Sequence, residues 1–131
     1  MNSANFKRMK YHRILIILSV AFVFFAFAAP KAAIEWEFTE YNFGKIEKDK
    51  PVVIDFIFKN PGMIPLVVQD VKSSCGCTVP DYPKQPIPPG GSGKITVTYD
   101  AKDSGYFSKT ITVITNTEQN TNLLYIKGEV N

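Results

Sequence analysis

The sequence predicts an all-β domain, an antiparallel β-sandwich of about seven strands over residues 34–131. This part of the chain is rich in Val, Ile, Phe, Tyr and Thr, which favour strands. Apolar and polar residues alternate with a period of two in several stretches, and turn-forming residues separate these stretches about every 8–15 positions. No helical pattern intervenes. The pattern does not fix the strand order, and a small barrel is the structural alternative.

Seven stretches carry the strand pattern, beginning with "IEWEFTE", in which Ile34, Trp36 and Phe38 share one face. The predicted strands are 34–40, 41–46, 52–60, 66–73, 94–100, 106–116 and 123–130. The later strands direct apolar residues inward in the same way: Val52, Ile54, Phe56, Phe58, Ile95, Val97, Tyr99, Phe107, Ile111, Val113, Leu124, Ile126 and Val130.

A proline-rich segment, "PDYPKQPIPPGGSG", precedes the fifth predicted strand. Pro80, Pro83, Pro86 and Pro89 recur every three residues, which is the polyproline II repeat. Such a segment can be a docking ligand for an aromatic groove. We favour the other interpretation, a stiff strip crossing a sheet edge, where missing N–H donors block further strand pairing.

The N-terminal residues 1–28 have the composition of a secretory signal peptide. Four basic residues precede an apolar run at 14–29, and an Ala-Phe-Ala site places the predicted cleavage after Ala28. The run has 16 residues, fewer than the roughly 20 that cross a bilayer as a helix. We therefore expect export to the periplasm or cell envelope. The alternative is an uncleaved inner-membrane anchor at 14–29, the only membrane contact that the sequence predicts.

The charge of the chain argues against a nucleic-acid partner. The formal net charge is +3, but four of the 15 basic side chains lie in the signal segment. The remaining 11, all lysine, face 12 acidic residues, so the domain is close to −1. It has no basic run and no arginine for forked contacts with phosphates or bases.

Several segments of the domain resemble one bacterial family, domain of unknown function 1573, which is frequent in Bacteroidetes. The resemblance covers residues 34 to 131, and it is carried by these segments: "FGKI" at 43–46, "FIFKNPG" at 56–62, "PLVVQDVKSSCGCTVP" at 65–80, "PIPPGGSGKITVTYD" at 86–100, "GYFSKTITVITN" at 105–116 and "IKGEV" at 126–130. It implies an immunoglobulin-like sandwich of the Hydin and ASPM type in an exported protein. It implies no reaction, since the family is named for its missing function.

Catalysis has little support in the residues of the domain. The single histidine, His12, lies in the signal segment, so residues 34–131 offer neither a Ser–His–acid triad nor a Cys–His pair. Glu35 and Glu37 would share one face of a strand, where alternating carboxylates are typical of a solvated surface. Asp100 and Asp103 flank a turn, where aspartate commonly makes local hydrogen bonds. We predict no enzyme and no cofactor.

Both cysteines of the chain lie in "SSCGCT", as Cys75-Gly76-Cys77. In an extended strand, residues two apart have Cα atoms about 6.6 Å apart, near the upper limit for a disulfide, and a bend at Gly76 would bring them closer. An oxidising compartment favours a local disulfide or redox-sensitive pair. Two packed structural thiols and a weak Cu(I) site remain open, whereas structural zinc wants four ligands.

Two functions therefore remain. The first is an exported, non-catalytic immunoglobulin-like module that binds an envelope protein or a surface polymer. The second is a thiol redox or Cu(I)-binding protein acting through Cys75 and Cys77.

Overall fold

Eight strands form the part of the chain that the structure, a computed structural model, describes, residues 29–131. They are β1 (Glu35–Trp36), β2 (Glu40–Ile46), β3 (Val52–Lys59), β4 (Val68–Ser73), β5 (Thr78–Asp81), β6 (Ser92–Tyr99), β7 (Gly105–Thr115) and β8 (Thr121–Val130). The signal segment predicted at 1–28 lies outside the described residues. Between residues 29 and 131, no helix is long and apolar enough to cross a membrane.

The strands form two four-stranded sheets that face each other. The first sheet has the order β1-β3-β6-β5, and the second has the order β2-β8-β7-β4. Within each sheet the pairs are antiparallel, except that β2 runs parallel to β8. The predicted β-sandwich is confirmed.

The first predicted strand, 34–40, is divided between the two sheets. β1 ends at Trp36, and the chain crosses to the second sheet, where the Thr39 carbonyl accepts a hydrogen bond of 2.8 Å from the Tyr125 N–H. The crossing involves no reversal of direction. β2 therefore lies parallel to β8, which is why the sandwich is not wholly antiparallel.

The structure adds a strand, β5, where the sequence predicted a polyproline II strip. Residues Thr78–Asp81 pair with β6, and Pro80 lies opposite Val97. A proline is compatible with this strand because β5 is the edge of its sheet, where a missing N–H on the free side breaks no ladder bond. The interpretation of a proline-bearing segment at a sheet edge was therefore right, but the polyproline conformation was wrong for residues 80–81, where the segment overlaps β5.

The core lies between the facing sheets, as the alternation predicted. Phe56, Phe58, Ile95 and Val97 of the first sheet are fully buried, as are Ile111, Val113, Leu124 and Ile126 of the second. The rings of Tyr99 and Phe107 stack across the two sheets with centroids 4.1 Å apart. Gly128 leaves room for Phe107, since a Cβ there would lie 2.8 Å from two atoms of its ring.

Asn60 ties the loop after β3 to the proline-rich segment. The residue is fully buried, and its amide Nδ2 donates to the carbonyls of Ile64 at 2.9 Å and Ile87 at 3.0 Å. Its Oδ1 accepts from the Gly62 N–H at 2.9 Å. The side chain thus makes three hydrogen bonds to backbone groups of the two segments, and the Ile87 carbonyl also accepts from the Leu66 N–H at 2.8 Å.

Candidate functional site

The two cysteines lie at the corner where the chain passes from the second sheet to the first. β4 is the edge of one sheet and β5 the edge of the other, and residues 74–77 connect them. Cys75 and Cys77 are joined by a disulfide with an S–S distance of 1.96 Å and a Cα–Cα distance of 5.3 Å. We call residues 73–78 the cysteine corner.

The cysteine corner bends without a left-handed residue. The Cα atoms of the cysteines are closer than the extended spacing of about 6.6 Å, as a turn requires. However, the glycines with positive φ are Gly44, Gly90 and Gly105, so Gly76 does not use the conformation that favours glycine. No heavy atom lies within 4 Å of the place where a Cβ at Gly76 would stand. Neither backbone strain nor crowding explains the glycine between the cysteines.

Backbone hydrogen bonds hold both ends of the corner to neighbouring strands. On the β4 side, the Ser74 N–H donates to the Thr110 carbonyl at 2.9 Å, and Ser74 Oγ accepts from the Thr110 N–H at 3.1 Å. On the β5 side, the Cys77 carbonyl accepts from the Asp100 N–H at 3.0 Å. The disulfide therefore bridges a turn whose two ends are already fixed by β7 and by the residue after β6.

The surroundings of the disulfide supply little to activate a thiol. Both cysteines are half-buried, and Cys77 packs against the core. The polar neighbour of both sulfurs is Thr78 Oγ1, 3.6 Å from Cys75 Sγ and 3.9 Å from Cys77 Sγ. Lys72, the nearest base in sequence, has its ammonium 3.4 Å from the Asp70 carboxylate. A cation lowers the pKa of a nearby thiol, and the charge of Lys72 is already opposed by this carboxylate.

A copper site at these cysteines would need both as thiolates, which the disulfide does not provide. Among residues 29–131 no three His, Cys, Asp or Glu side chains are grouped so that they could hold a metal ion. The Cu(I) hypothesis therefore concerns the reduced protein alone.

The carboxylates considered for catalysis occupy ordinary surface positions. Glu35 is exposed on β1, and Glu37 is exposed directly after it. Asp100 accepts a hydrogen bond of 3.3 Å from the Lys102 N–H within its own turn. Burial raises the pKa of the Tyr99 hydroxyl, and the nearby charges of Asp100 and Asp103 add to this effect.

Apolar side chains project to solvent beside the cysteine corner. Val79, which follows the corner, is 64% exposed, and Val53 is 57% exposed. Both lie opposite Thr98, so the three residues form one row across β3, β6 and β5 on the outer face of the first sheet. We call Val53, Thr98 and Val79 the apolar row. The sequence did not predict this row, because Val79 faces outward beside β6 only where Thr78–Asp81 form a strand.

A polar row separates the apolar row from the rest of this face. Asp55 lies opposite Thr96, which lies opposite Asp81. Lys94 Nζ donates to Asp55 Oδ2 at 2.7 Å, and Thr96 Oγ1 donates to Asp55 Oδ1 at 2.6 Å. Both hydrogen bonds lower the pKa of Asp55, and the one from Lys94 has the larger effect.

A second surface feature lies on the outer face of the second sheet. A cavity of about 330 Å³ is bordered by Tyr106, which is 87% exposed, and by Asn42, Lys45, Ser108 and Glu129. An exposed ring beside amide, ammonium, hydroxyl and carboxylate groups can bind a neutral polar polymer through stacking and hydrogen bonds.

The fold and these surfaces define an immunoglobulin-like, PapD-like β-sandwich with a disulfide at one corner. The chain belongs to the family described as Protein of unknown function (DUF1573), whose family model matches residues 34–130. The resemblance drawn from the sequence is thereby confirmed. No curated protein sequence matches the chain.

Solved structures show the same fold at low sequence identity. A protein of unknown function from Porphyromonas gingivalis W83 has 20% identity and a TM-score of 0.68 over 81% of this chain and 50% of its own. The ASH/PapD-like domain of human CEP192 has 10% identity and a TM-score of 0.65, over 77% and 87%. The YadV chaperone has 14% identity and a TM-score of 0.52, over 77% and 52%. This chain thus spans about half of the P. gingivalis protein.

Proposed function

We propose that this protein is an exported, non-catalytic binding module of the bacterial cell envelope, and that its ligand is another envelope protein. The observation that carries the proposal is the apolar row. Two valines more than half exposed, one on each side of Thr98 on a β-sheet face, gain free energy when a partner covers them, at roughly 25 cal/mol per Å² of apolar surface.

Export is supported by two independent features of the sequence. Residues 1–28 have the charge, apolar run and small residues of a secretory signal. A cysteine pair that can close a local disulfide suits an oxidising compartment such as the periplasm. Retention of the segment 14–29 as an inner-membrane anchor would leave the domain in that same compartment.

A photocrosslinking residue placed at Val79 in the full chain tests the proposal in cells. Val79 is the more exposed valine of the apolar row, and Gln119, in an exposed loop between β7 and β8, is the matched control position. We expect fractionation to place the chain in the envelope and the Val79 position, unlike the control, to yield one discrete protein adduct. A cytoplasmic chain, or the same faint adducts from both positions, would contradict the proposal.

A surface polymer is the other partner that the sequence allows, and its site would differ. The same crosslinker at Tyr106 reports on the cavity of the second sheet. Adducts that migrate as a heterogeneous smear and collapse after glycosidase treatment would place a polymer there. That result, with no protein adduct at Val79, would replace the proposed ligand.

A thiol redox or Cu(I)-binding function is the second candidate, and the half-buried Cys75–Cys77 disulfide favours it. Its ring contains three residues, so closing it constrains the unfolded chain little, and a stability role alone explains the spacing poorly. Intact mass and thiol labelling of the protein from the envelope, with and without reductant, test this function. A fully reduced, alkylation-resistant pair that takes up no Cu(I) would eliminate it.

A further inference from the structure

We propose that the first half of β3, Val52–Asp55 in sequence, is an open sheet edge to which an extended segment of the partner protein adds as a new strand. The inference rests on the proposed function, since it names where the partner binds and in what conformation. It starts from the shortness of β1, which pairs with Lys59 and Phe58 alone. One more bond, from the Glu37 N–H to the Ile57 carbonyl at 3.0 Å, ends the contact.

The direction of the backbone hydrogen bonds alternates along β3, and this alternation shows which N–H and C=O groups of β3 are not paired with β1. The Asn60 N–H donates to the Gly91 carbonyl, on the side of β6, whereas the Ile57 carbonyl accepts on the side of β1. Backbone groups alternate in direction along a strand, so the odd-numbered residues of β3 face the side of β1. The N–H and C=O groups of Val53 and Asp55 therefore point away from β6, at the edge that β1 does not reach.

Apolar side chains lie on the same side of the sandwich as this edge. Phe38, in the crossing between β1 and β2, packs on Phe56 with ring centroids 5.3 Å apart. Tyr41 follows on β2, 38% exposed. Further half-buried apolar residues are Phe43, Val52 and Ile54. A strand added to β3 would direct alternate side chains towards these residues, so its apolar residues should fall at every second position.

The edges on the opposite side of the sandwich are closed. On β5, Pro80 has no N–H, and the Thr78 N–H is directed to the Cys75 carbonyl at 3.5 Å within the cysteine corner. On β4, the Val71 N–H donates to Asp70 Oδ1 at 2.9 Å. An edge strand whose N–H groups are missing or already bonded within the chain does not readily accept a further strand.

At β3, by contrast, the described residues provide no such cap. The side chain of Asp55 is held by Lys94 and Thr96 of β6, away from the open edge. A row of backbone donors and acceptors at strand spacing is complementary to another extended backbone. This complementarity selects an extended segment as the occupant rather than a folded surface.

The test uses random nine-residue peptides, displayed as a library and selected on the protein purified from the envelope of cells that express the full chain. We expect the selected peptides to carry apolar residues at alternate positions. Val53→Pro removes one edge N–H and places a ring where the new strand would lie. It should weaken binding of a selected peptide at least about tenfold, which corresponds to about 1.4 kcal/mol. Val53→Thr keeps the N–H and the branched shape but removes apolar surface from the apolar row, so it should weaken binding clearly less than Val53→Pro does; an equal loss in the two variants would assign the effect to the side chain and contradict the edge assignment.

Two measurements keep the inference testable if Val53→Pro does not fold. An N-methyl scan of the selected peptide should abolish binding at every second amide and leave the intervening amides unaffected. Amide hydrogen exchange should show that the peptide protects Val53 and Asp55. Selected peptides without a period of two, an N-methyl scan without alternation, or protection at β5 instead would overturn the inference.

The outcomes also separate this inference from the proposed function. The crosslinker at Val79 is also tested in the Val53→Pro variant. If this variant captures the envelope protein as efficiently as the chain without Val53→Pro does, the partner binds elsewhere. The edge assignment then fails while the proposed function stands. A dimer in sedimentation experiments that Val53→Pro dissociates would place a second copy of this chain at β3 and would overturn the assignment to a different partner.

Discussion

Replacing both cysteines by serine should cost the protein only a small part of its stability. The disulfide closes a ring of three residues, 75–77. In the chain-entropy treatment such a ring reduces the entropy of the unfolded chain by about 5 cal/mol/K, which gives about 1.6 kcal/mol at 25 °C, against about 3 kcal/mol for a 15-residue ring. The backbone bonds of Ser74 with Thr110 and of Cys77 with Asp100 do not involve sulfur, so the crossing between the sheets should persist.

The single tryptophan provides the assay. Trp36 packs on Phe58 with ring centroids 5.2 Å apart, so its fluorescence reports on the core during urea unfolding. We expect the free energy of unfolding of Cys75→Ser/Cys77→Ser to fall by about 1–2 kcal/mol with an unchanged urea dependence, and reduced wild-type protein to match it. A loss above about 4 kcal/mol, or a variant that does not fold, would show that the disulfide determines the crossing and would refute this reasoning.

Three further substitutions test the packing, the buried amide and the ion pair. Gly128→Ala should lower the free energy of unfolding by about 1–3 kcal/mol in the same urea assay, because the new methyl group meets the Phe107 ring at 2.8 Å and the Gly44 carbonyl oxygen at 2.9 Å; an unchanged stability would show that the ring and the Gly44 backbone both move at no cost. Asn60→Ala should cost about 2–3 kcal/mol, since it removes three hydrogen bonds of a buried amide and leaves the Ile64 carbonyl and the Gly62 N–H without this partner; a loss below about 1 kcal/mol would show that water replaces the amide. Asp55→Asn should cost less than about 1 kcal/mol at pH 7, because the pair with Lys94 is partly exposed. The folded protein lowers the pKa of Asp55, so this contribution is complete above the pKa of the unfolded chain and disappears as the pH falls through the folded pKa; a difference from wild type that does not decrease on acidification would contradict the assignment.

Most of the fold could be predicted because long strands repeat one simple pattern. β3 and β6 to β8 alternate over most of their length and bury one face, so period and burial give the same answer. β5 was missed because it has four residues, one of them Pro80, and its conformation depends on pairing with β6 rather than on its own composition. The division of 34–40 was missed because a strand keeps its alternation when it passes from one sheet to the other.

The candidate site could be predicted only where it is local in sequence. Cys75 and Cys77 are two residues apart, so the sequence alone identifies them as candidates for a local disulfide. The apolar row joins Val53 and Val79, 26 positions apart, through a strand order that the alternation does not determine. The open edge of β3 depends on where β1 ends, which is set by the crossing at residues 37–39 and not by any residue of β3.

The position of the disulfide bears on the choice between binding and redox function. A change of oxidation state can control a protein only if the oxidised and reduced forms differ in what they contact. Both ends of the cysteine corner are held by bonds to Thr110 and Asp100, so reduction should free little beyond the turn itself. The group most directly affected is the Thr78 N–H at the edge of β5, which donates a hydrogen bond to the Cys75 carbonyl. If the pair does respond to redox conditions, the response should therefore be confined to the turn and to the Thr78 N–H, because Pro80 leaves the free side of β5 without a second donor in either state. So small a difference between the two states favours the proposed binding function over control by redox state.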